Sequence, residues 1–288
     1  MSFGWEMGRW ALGARAGASV AALYGLLGAR GFTREGLWLN LGDWRAASTI
    51  EEACPALALR LAGTGGLGPG DTVVDVGFGF AEQDILWARR FAPRRIIGLN
   101  VTPEHVRLGR ARVRRAGLAE VIDLRQGSAT AMPLPDACCD VVTALECAFH
   151  FDTREAFLAE AFRVLRPGGR LAMADILRAP PAASPLLARW QRLTWRGFAE
   201  RFRVPVANAV ERAGLAAQLR AAGFTAARVE SIGEDVFPGF HRALMTDAAL
   251  ARRLPATLLR PYRALGALGA GRIYAALDYV LVFAQKPR

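Results

Sequence analysis

Short apolar runs alternate with amphipathic segments from Asp71 onward, and this alternation constrains the fold more than any other feature of the sequence. The apolar runs cover residues 72–76, 96–99, 121–125, 141–145 and 171–174. Stretches with helical periodicity, such as residues 81–91 and 103–116, lie between them. Strands that are apolar on both faces and separated by helices belong to parallel sheets covered on both sides. The sequence therefore predicts an α/β fold.

The flanking segments are predicted to complete this sheet and to cover it. Residues 227–232 and 279–284 form two further apolar runs, which we expect to pair antiparallel, giving seven strands with an amphipathic helix over 240–268 between the last two. Residues 180–222 contain four aromatics, which either pack as core or face a ligand (Trp190, Trp195, Phe198 and Phe202). The predicted division is an N-terminal helical region (1–70), a core (71–179), a helical cap insertion (180–222) and C-terminal strands and helix that complete the core (223–288).

Charge and cysteine content narrow the classes of function. The formal net charge is +11, but Lys286 is the only lysine, and the arginines are scattered instead of forming the basic run that nucleic-acid binding favours. The four cysteines show no C-x-x-C spacing, which argues against a zinc site and a disulfide framework (Cys54, Cys138, Cys139 and Cys147). We therefore expect a cytoplasmic protein with reduced thiols, no bound metal and no nucleic-acid partner.

Arginines stand beside large apolar residues in two regions, near Trp5 and Trp10 and again near Trp190. This composition is typical of helices that lie on an anionic membrane surface, although ordinary core helices also show it. The longest uncharged N-terminal stretch, residues 16–29, is too short to cross a bilayer. Peripheral contact with a membrane therefore stays open as an alternative.

The first predicted strand runs into a glycine turn, Asp75-Val76-Gly77-Phe78-Gly79, and a helix follows. Glycines at such a turn let the backbone approach a ligand closely, at the edge where open α/β sheets bind ligands. A dinucleotide-binding turn would show a third glycine, whereas this turn reads Gly-x-Gly-x-Ala and ends at Ala81. Asp75 adds a carboxylate that suits a cationic ligand better than a pyrophosphate, unless it is simply a solvated residue at the end of the strand.

Four segments between Gly36 and Ala179 together resemble the class I S-adenosylmethionine-dependent methyltransferases. They are the glycine turn, the second-strand segment at 96–103, the loop at 126–136 that leads into strand four, and the helix-stop-strand segment at 162–171. The resemblance implies a Rossmann-like sheet and S-adenosylmethionine as the cofactor. The residues that it assigns to cofactor binding are Asp75, Gly77, Gly79, Asn100, Val101, Ser128, Ala129 and Glu146.

The sequence departs from the family pattern at two of these positions. Asn100 stands where many members have an acid that binds the ribose hydroxyls, and Ser128 stands where an aspartate commonly contacts the adenine. Each neutral side chain can still form a hydrogen bond. The departures leave open a degenerate protein that does not catalyse a reaction.

Acid–base groups are expected just after strands four and five, because methyl transfer from a sulfonium chiefly requires alignment and the removal of a proton. The resemblance to small-molecule O-methyltransferases implies that His150 is the base and that Asp175 supports it. His150 is flanked by Phe149 and Phe151, so a packed core histidine is the alternative. Glu146 either contacts the methionine part of the cofactor or the substrate, or simply ends the strand; His105 and His241 are expected to be structural.

The sequence therefore predicts a methyltransferase acting on a hydroxyl of a small lipophilic natural product. A carbon-methylating enzyme for an isoprenoid or another alkene is the main alternative, because Glu146 and the aromatics could surround a carbocation. A non-catalytic binding protein is the second alternative.

Overall fold

The computed structural model describes residues 31–254 and 256–288. Its strands are β1 (Thr72–Val76), β2 (Arg95–Asn100), β3 (Ile122–Gln126), β4 (Cys139–Leu145), β5 (Leu165–Arg178), β6 (Thr225–Ser231) and β7 (Leu277–Gln285). They form one sheet in the order β3-β2-β1-β4-β5-β7-β6. Strands β1 to β5 are parallel, and β7 lies antiparallel between β5 and β6. The predicted Rossmann-like, mostly parallel sheet of seven strands is confirmed.

Helices cover both faces of this sheet. They are α1 (Ile50–Thr64), α2 (Glu82–Phe91), α3 (Pro103–Arg115), α4 (Arg154–Val164), α5 (Pro185–Phe202), α6 (Arg212–Ala221), α7 (Gly233–Thr246), α8 (Ala248–Arg253), α9 (Ala256–Gly266) and α10 (Ala270–Ile273). Successive strand residues face opposite sides, so Val73 belongs to the apolar cluster packed by α1 and α2, while Val74 belongs to the cluster packed by α4 and α6. Burial on both faces explains why the central strands are almost wholly apolar.

The segment before α1 corrects the predicted N-terminal helical region. Residues 31–49 form an irregular stretch, and residues 1–30, including Trp5 and Trp10, lie outside the described residues. Two backbone N–H groups of the stretch bond to distant carboxylates, Leu37 to Glu82 Oε1 (2.6 Å) and Leu41 to Glu146 Oε1 (2.7 Å). Because side chains satisfy the backbone here, the stretch does not need a helical hydrogen-bond ladder.

The predicted cap proves smaller than residues 180–222. Helix α5 has no fully buried residue, and it is followed by a short 3-10 turn, Val206–Asn208. Helix α6, in contrast, packs on β6 and buries Leu215 and Leu219 in the core. Only α5 and its turn therefore form the cap.

The single amphipathic helix predicted over 240–268 is also incorrect. Asp247 ends α7 and starts α8, because its carboxylate accepts from the backbone N–H groups of Ala249 (2.7 Å) and Leu250 (3.1 Å). Helices α8, α9 and α10 follow as short separate elements. In the part of the chain that the structure describes, every helix is too short or too polar to cross a lipid bilayer.

Candidate functional site

A cavity of about 760 Å³ lies at the carboxyl edge of the sheet. The turns after β1, β2, β3 and β4 form one part of its lining, and side chains of α5, α7, α9 and the 31–49 stretch form the rest. This is the edge at which ligands bind in open parallel α/β sheets. The parallel order of β2, β1, β4 and β5 thus brings together residues that are far apart in the sequence.

The glycine turn forms the floor of the cavity with Gly77 and Gly79, as predicted. Both residues have positive φ, 73° and 54°, in the left-handed region that favours glycine. A Cβ on Gly77 would lie 2.7 Å from both Cβ and Sγ of Cys147, closer than nonbonded atoms approach. Position 77 therefore accepts a side chain only if the turn or the loop after β4 moves.

Asp75 lies beneath this turn and is not part of the cavity lining. Its carboxylate accepts from Thr143 Oγ1 (2.7 Å) and from Gln83 Nε2 (3.1 Å). Burial raises the pKa of Asp75 to about 7. Gln83, which donates to Asp75, lines the cavity, whereas Asp75 itself does not.

The residues after β2 and β3 form the wall expected for the adenosine part of the cofactor. Asn100, Val101 and Ala129 line the cavity, and Val101 remains half exposed there. Asn100 Oδ1 accepts from the Thr102 N–H (2.9 Å), leaving its amide NH₂ as a donor for a ligand. Ser128 stays outside the lining, and its hydroxyl is hydrogen-bonded to that of Thr130 (2.9 Å). The adenine contact predicted for Ser128 therefore has no support from the side-chain placement.

Glu146 lines the cavity directly after β4, at a positive φ of 52°. Its Oε1 accepts both from Tyr279 Oη (2.6 Å) and from the Leu41 N–H (2.7 Å). Among the described residues, both hydrogen bonds of this carboxylate go to Oε1, which leaves Oε2 for a ligand. Burial raises the pKa of Glu146 to about 7, near the pH at which a carboxylate is an effective general base.

His150 closes a short 3-10 turn, Ala148–His150, and also lines the cavity. Its ring lies among aromatics, 4.0 Å from Phe149 and 6.3 Å from Phe202 between ring centroids. Burial lowers the pKa of His150 to about 4, because the apolar surroundings disfavour the charged imidazolium. The ring is therefore neutral at physiological pH, the form that accepts a proton.

Asp175, predicted to support His150, lies directly behind the turn that carries it. Its Oδ1 accepts from the backbone N–H of Phe149 (3.1 Å), and its Oδ2 accepts from Arg154 Nε (3.0 Å). Asp175 thus acts on the turn that carries His150, through the backbone of the preceding residue.

Sequence reasoning missed two groups of lining residues. The irregular stretch contributes residues 37–41, and Gln83, Thr102 and His105 join them. His105, expected to be structural, packs against Phe80 with 4.4 Å between ring centroids and faces the cavity. Its place in the first turn of α3, just after the ribose segment, was a usable signal. The sequence held no such signal for residues 37–41, because distant carboxylates position them.

The part of the cavity formed by the helices is largely aromatic and aliphatic. Trp190, Phe198 and Phe202 of the cap line it, and Phe198 and Phe202 also pack against the hydrophobic core. A hydrogen-bond chain lies at this part of the wall: Tyr262 Oη is 2.7 Å from His241 Nδ1 and 2.7 Å from Tyr274 Oη. Such a space fits a lipophilic molecule that also carries oxygen atoms.

These observations fit S-adenosylmethionine. The turn at Gly77 admits a ligand against the backbone, Asn100 offers a donor at the ribose position, and Glu146 offers a carboxylate oxygen to a cationic group. Among the described residues, no cluster of His, Cys, Asp or Glu is arranged to hold a metal ion.

Comparison with known proteins agrees with this site. A methyltransferase domain family matches residues 74–173. The chain is 40% identical over 210 residues to erythromycin 3''-O-methyltransferase of Saccharopolyspora erythraea, covering 71% of this chain and 67% of that protein. It is 32% identical to 27-O-demethylrifamycin SV methyltransferase of Amycolatopsis mediterranei, covering 87% and 92% of the two chains.

The fold is also that of geranyl diphosphate C-methyltransferase from Streptomyces coelicolor A3(2), with a TM-score of 0.65, 17% identity and coverage of 99% and 98%. The alternative of a non-catalytic binding protein is set aside, because the relatives of high coverage are enzymes. The chain belongs to the class I S-adenosylmethionine-dependent methyltransferases.

Proposed function

We propose that this enzyme methylates a hydroxyl oxygen of a lipophilic natural product. The observation that carries the proposal is a neutral, buried imidazole, that of His150, placed in the wall of a cavity that is otherwise mostly apolar. The relatives named for O-methylation of erythromycin and rifamycin compounds support the same acceptor class.

Five polar residues of the cavity have distinct tasks in this proposal. S-adenosylmethionine supplies the methyl group when it is bound. The turn at Gly77 and Asn100 hold it, and Glu146 Oε2 attracts its positive charge. His150 accepts the proton of the acceptor hydroxyl as the oxygen takes the methyl group, and the aromatic wall excludes water. The Tyr262 and Tyr274 hydroxyls bind a second oxygen of the acceptor.

Incubation with cofactor labelled at the methyl carbon tests this proposal. Erythromycin-type macrolides, 27-O-demethylrifamycin SV and other lipophilic alcohols form the acceptor panel. We expect at least one acceptor to gain a single labelled methyl group, with the carbon chemical shift of a methyl ether in NMR spectra of the product. Gly77→Val serves as the inactive control.

A methyl group found on carbon would instead support the second candidate function. Two observations favour that alternative. The Glu146 carboxyl has a pKa of about 7. Aromatic rings also line the cavity wall, where they could stabilise a carbocation. No labelled product from any alcohol, despite normal cofactor binding, would reject the acceptor class proposed here.

We also propose that the exposed face of α5 contacts anionic membranes and receives lipophilic acceptors there. Leu186 and Leu193 are 81% and 59% exposed on this helix, and exposed Arg189, Arg192 and Arg196 lie beside them. Exposed leucines beside arginines are typical of helices at an anionic lipid surface.

Flotation with phosphatidylglycerol vesicles tests the contact. We expect the full chain to float at low salt and to be released at high salt, because arginine–phosphate attraction is screened. Leu186→Ser with Leu193→Ser should reduce flotation severalfold, whereas Leu265→Ser, a control at an exposed leucine of α9, should not. A full chain that stays in the soluble fraction at low salt would reject the contact.

A further inference from the structure

Three polar residues, Asp175, Arg154 and Asn208, are wholly buried behind the turn that carries His150. They come from three elements: Asp175 from β5, Arg154 from the start of α4, and Asn208 from the 3-10 turn after the cap helix α5. Burying a charged pair and an amide is costly unless each group is hydrogen-bonded. The bonds that satisfy them therefore indicate what the cluster holds in place.

The cluster contains an ion pair between Arg154 and Asp175. Arg154 Nε donates to Asp175 Oδ2 (3.0 Å), and Nη2 lies 3.0 Å from the same oxygen. Arg154 also reaches the cap side twice: Nη1 donates to the Asn208 carbonyl (3.0 Å), and the Arg154 backbone N–H donates to Asn208 Oδ1 (2.8 Å). Asn208 is thereby held from both its backbone and its side-chain oxygen.

The remaining end of Asn208, its amide nitrogen, points at the His150 turn. Nδ2 lies 3.1 Å from the Phe149 carbonyl and 2.7 Å from the Phe151 carbonyl, the residues on either side of His150. Short 3-10 turns leave terminal carbonyls without partners of their own. Asp175 binds the same turn as an acceptor, whereas Asn208 Nδ2 is a donor: Asp175 Oδ1 accepts from the Phe149 N–H (3.1 Å).

We propose that Asn208 is a positioning residue that fixes the imidazole of His150 relative to the cap helix α5. The amide nitrogen binds the carbonyls that flank His150, and the amide oxygen and main chain are bound by Arg154. A shift of the cap end therefore changes where His150 lies in the cavity. The catalytic consequence rests on the proposed role of His150 as the base; the positioning itself does not.

A purely structural role would involve the same burial and the same bonds, because Arg154 Nη1 and the Asn208 amide each need a partner when they are buried. The two roles therefore differ in what a variant changes at His150. Asn208→Asp separates the two roles, because it keeps an acceptor for the Arg154 N–H and removes both amide donors. Asn208→Ala removes every side-chain bond of this residue, including a long one from Nδ2 to the Ala148 carbonyl (3.5 Å).

NMR of the histidine rings provides the test, since the chain has only three histidines. The pKa of His150 should rise from about 4 in the wild type by about one unit or more in Asn208→Ala, because a loosened turn admits water to the ring; in Asn208→Asp the added carboxylate raises this pKa as well. Amide hydrogen exchange at residues 148–151 should become at least about tenfold faster. The ring signals of His105 and His241 should stay in place.

Val206→Ala is the matched control, because Val206 belongs to the same 3-10 turn but is 93% exposed. It should leave the His150 signal and the exchange rates unchanged. Affinity for S-adenosylhomocysteine, measured by calorimetry, should change less than about threefold in every variant, because the cluster lies outside the cofactor wall.

An unchanged His150 signal in a folded Asn208→Asp protein would overturn the proposal. So would failure of both Asn208 variants to fold, which would assign the residue a structural role only. The proposed function fails by a different result, full turnover in His150→Ala, and that result leaves the NMR outcome unaffected.

Discussion

Gly77→Val should lower the affinity for S-adenosylmethionine and S-adenosylhomocysteine by about 100-fold or more, measured by calorimetry. A β-branched residue at a φ of 73° costs about 1–3 kcal/mol of backbone strain. Its Cβ would also lie 2.7 Å from Cys147 Cβ and Sγ, so either the turn or the strand-four loop must move. Since each 1.4 kcal/mol changes a binding constant by about tenfold, strain and displacement together account for the expected loss.

Gly68→Val is the matched control for this substitution. Gly68 precedes β1, and a Cβ there has no atom within 4 Å. This variant should bind the cofactor as the wild type does. Wild-type affinity in a folded Gly77→Val protein would contradict the placement of the cofactor on this turn.

His150→Ala should reduce turnover by about 100-fold to 10,000-fold while cofactor affinity stays near that of the wild type. That range is typical for the loss of a general base. Rapid-quench measurement of the methylated product gives the rate, and calorimetry gives the affinity. Partial recovery on adding free imidazole would show that the missing group is the base itself. Near-normal turnover in the variant would remove His150 from the chemistry.

The pH dependence of kcat/KM separates His150 from Glu146 as the base. A base works in its deprotonated form, so activity rises with pH through the pKa of that group in the free enzyme. Burial lowers the pKa of His150 to about 4 and raises that of Glu146 to about 7. If His150 is the base, kcat/KM for the acceptor, measured with S-adenosylmethionine saturating, should be flat from about pH 6 to 8, because saturation removes the effect of Glu146 protonation on cofactor binding. A tenfold-per-unit rise below pH 7 under these conditions would indicate Glu146 and favour carbon methylation.

The order of the secondary structure was predictable because local patterns determine it. Valine-rich runs such as residues 72–76 are strands buried on both faces, and the Gly77–Gly79 turn marks the ligand edge of the sheet. The same local information placed Asn100, Val101, Ala129, Glu146 and His150 near one cavity. Each of these residues lies at the end of a parallel strand or in the loop after it, and such strands end at one edge.

The partners of the buried charges were not predictable, because they depend on contacts between distant segments. Asp175 follows the motif pattern of a residue that supports a base, yet it bonds to Arg154 and to the backbone of the His150 turn. Glu146 binds the Leu41 N–H across 105 residues of sequence, and this bond keeps an irregular stretch in the cavity wall. Neither contact has a periodic or spacing signature.

The sequence by itself determined the α/β class, the strand sequence and the edge at which the cofactor binds, because hydrophobic periodicity and glycine turns act over a few neighbouring residues. Tertiary structure alone decided the pKa values of Glu146 and His150 and the position of the His150 ring. Burial places the pKa of Glu146 near 7 and that of His150 near 4, and the cluster of Asp175, Arg154 and Asn208 holds the turn that carries His150. Desolvation and hydrogen bonding depend on what surrounds a group in space, and those surroundings exist only once the chain has folded.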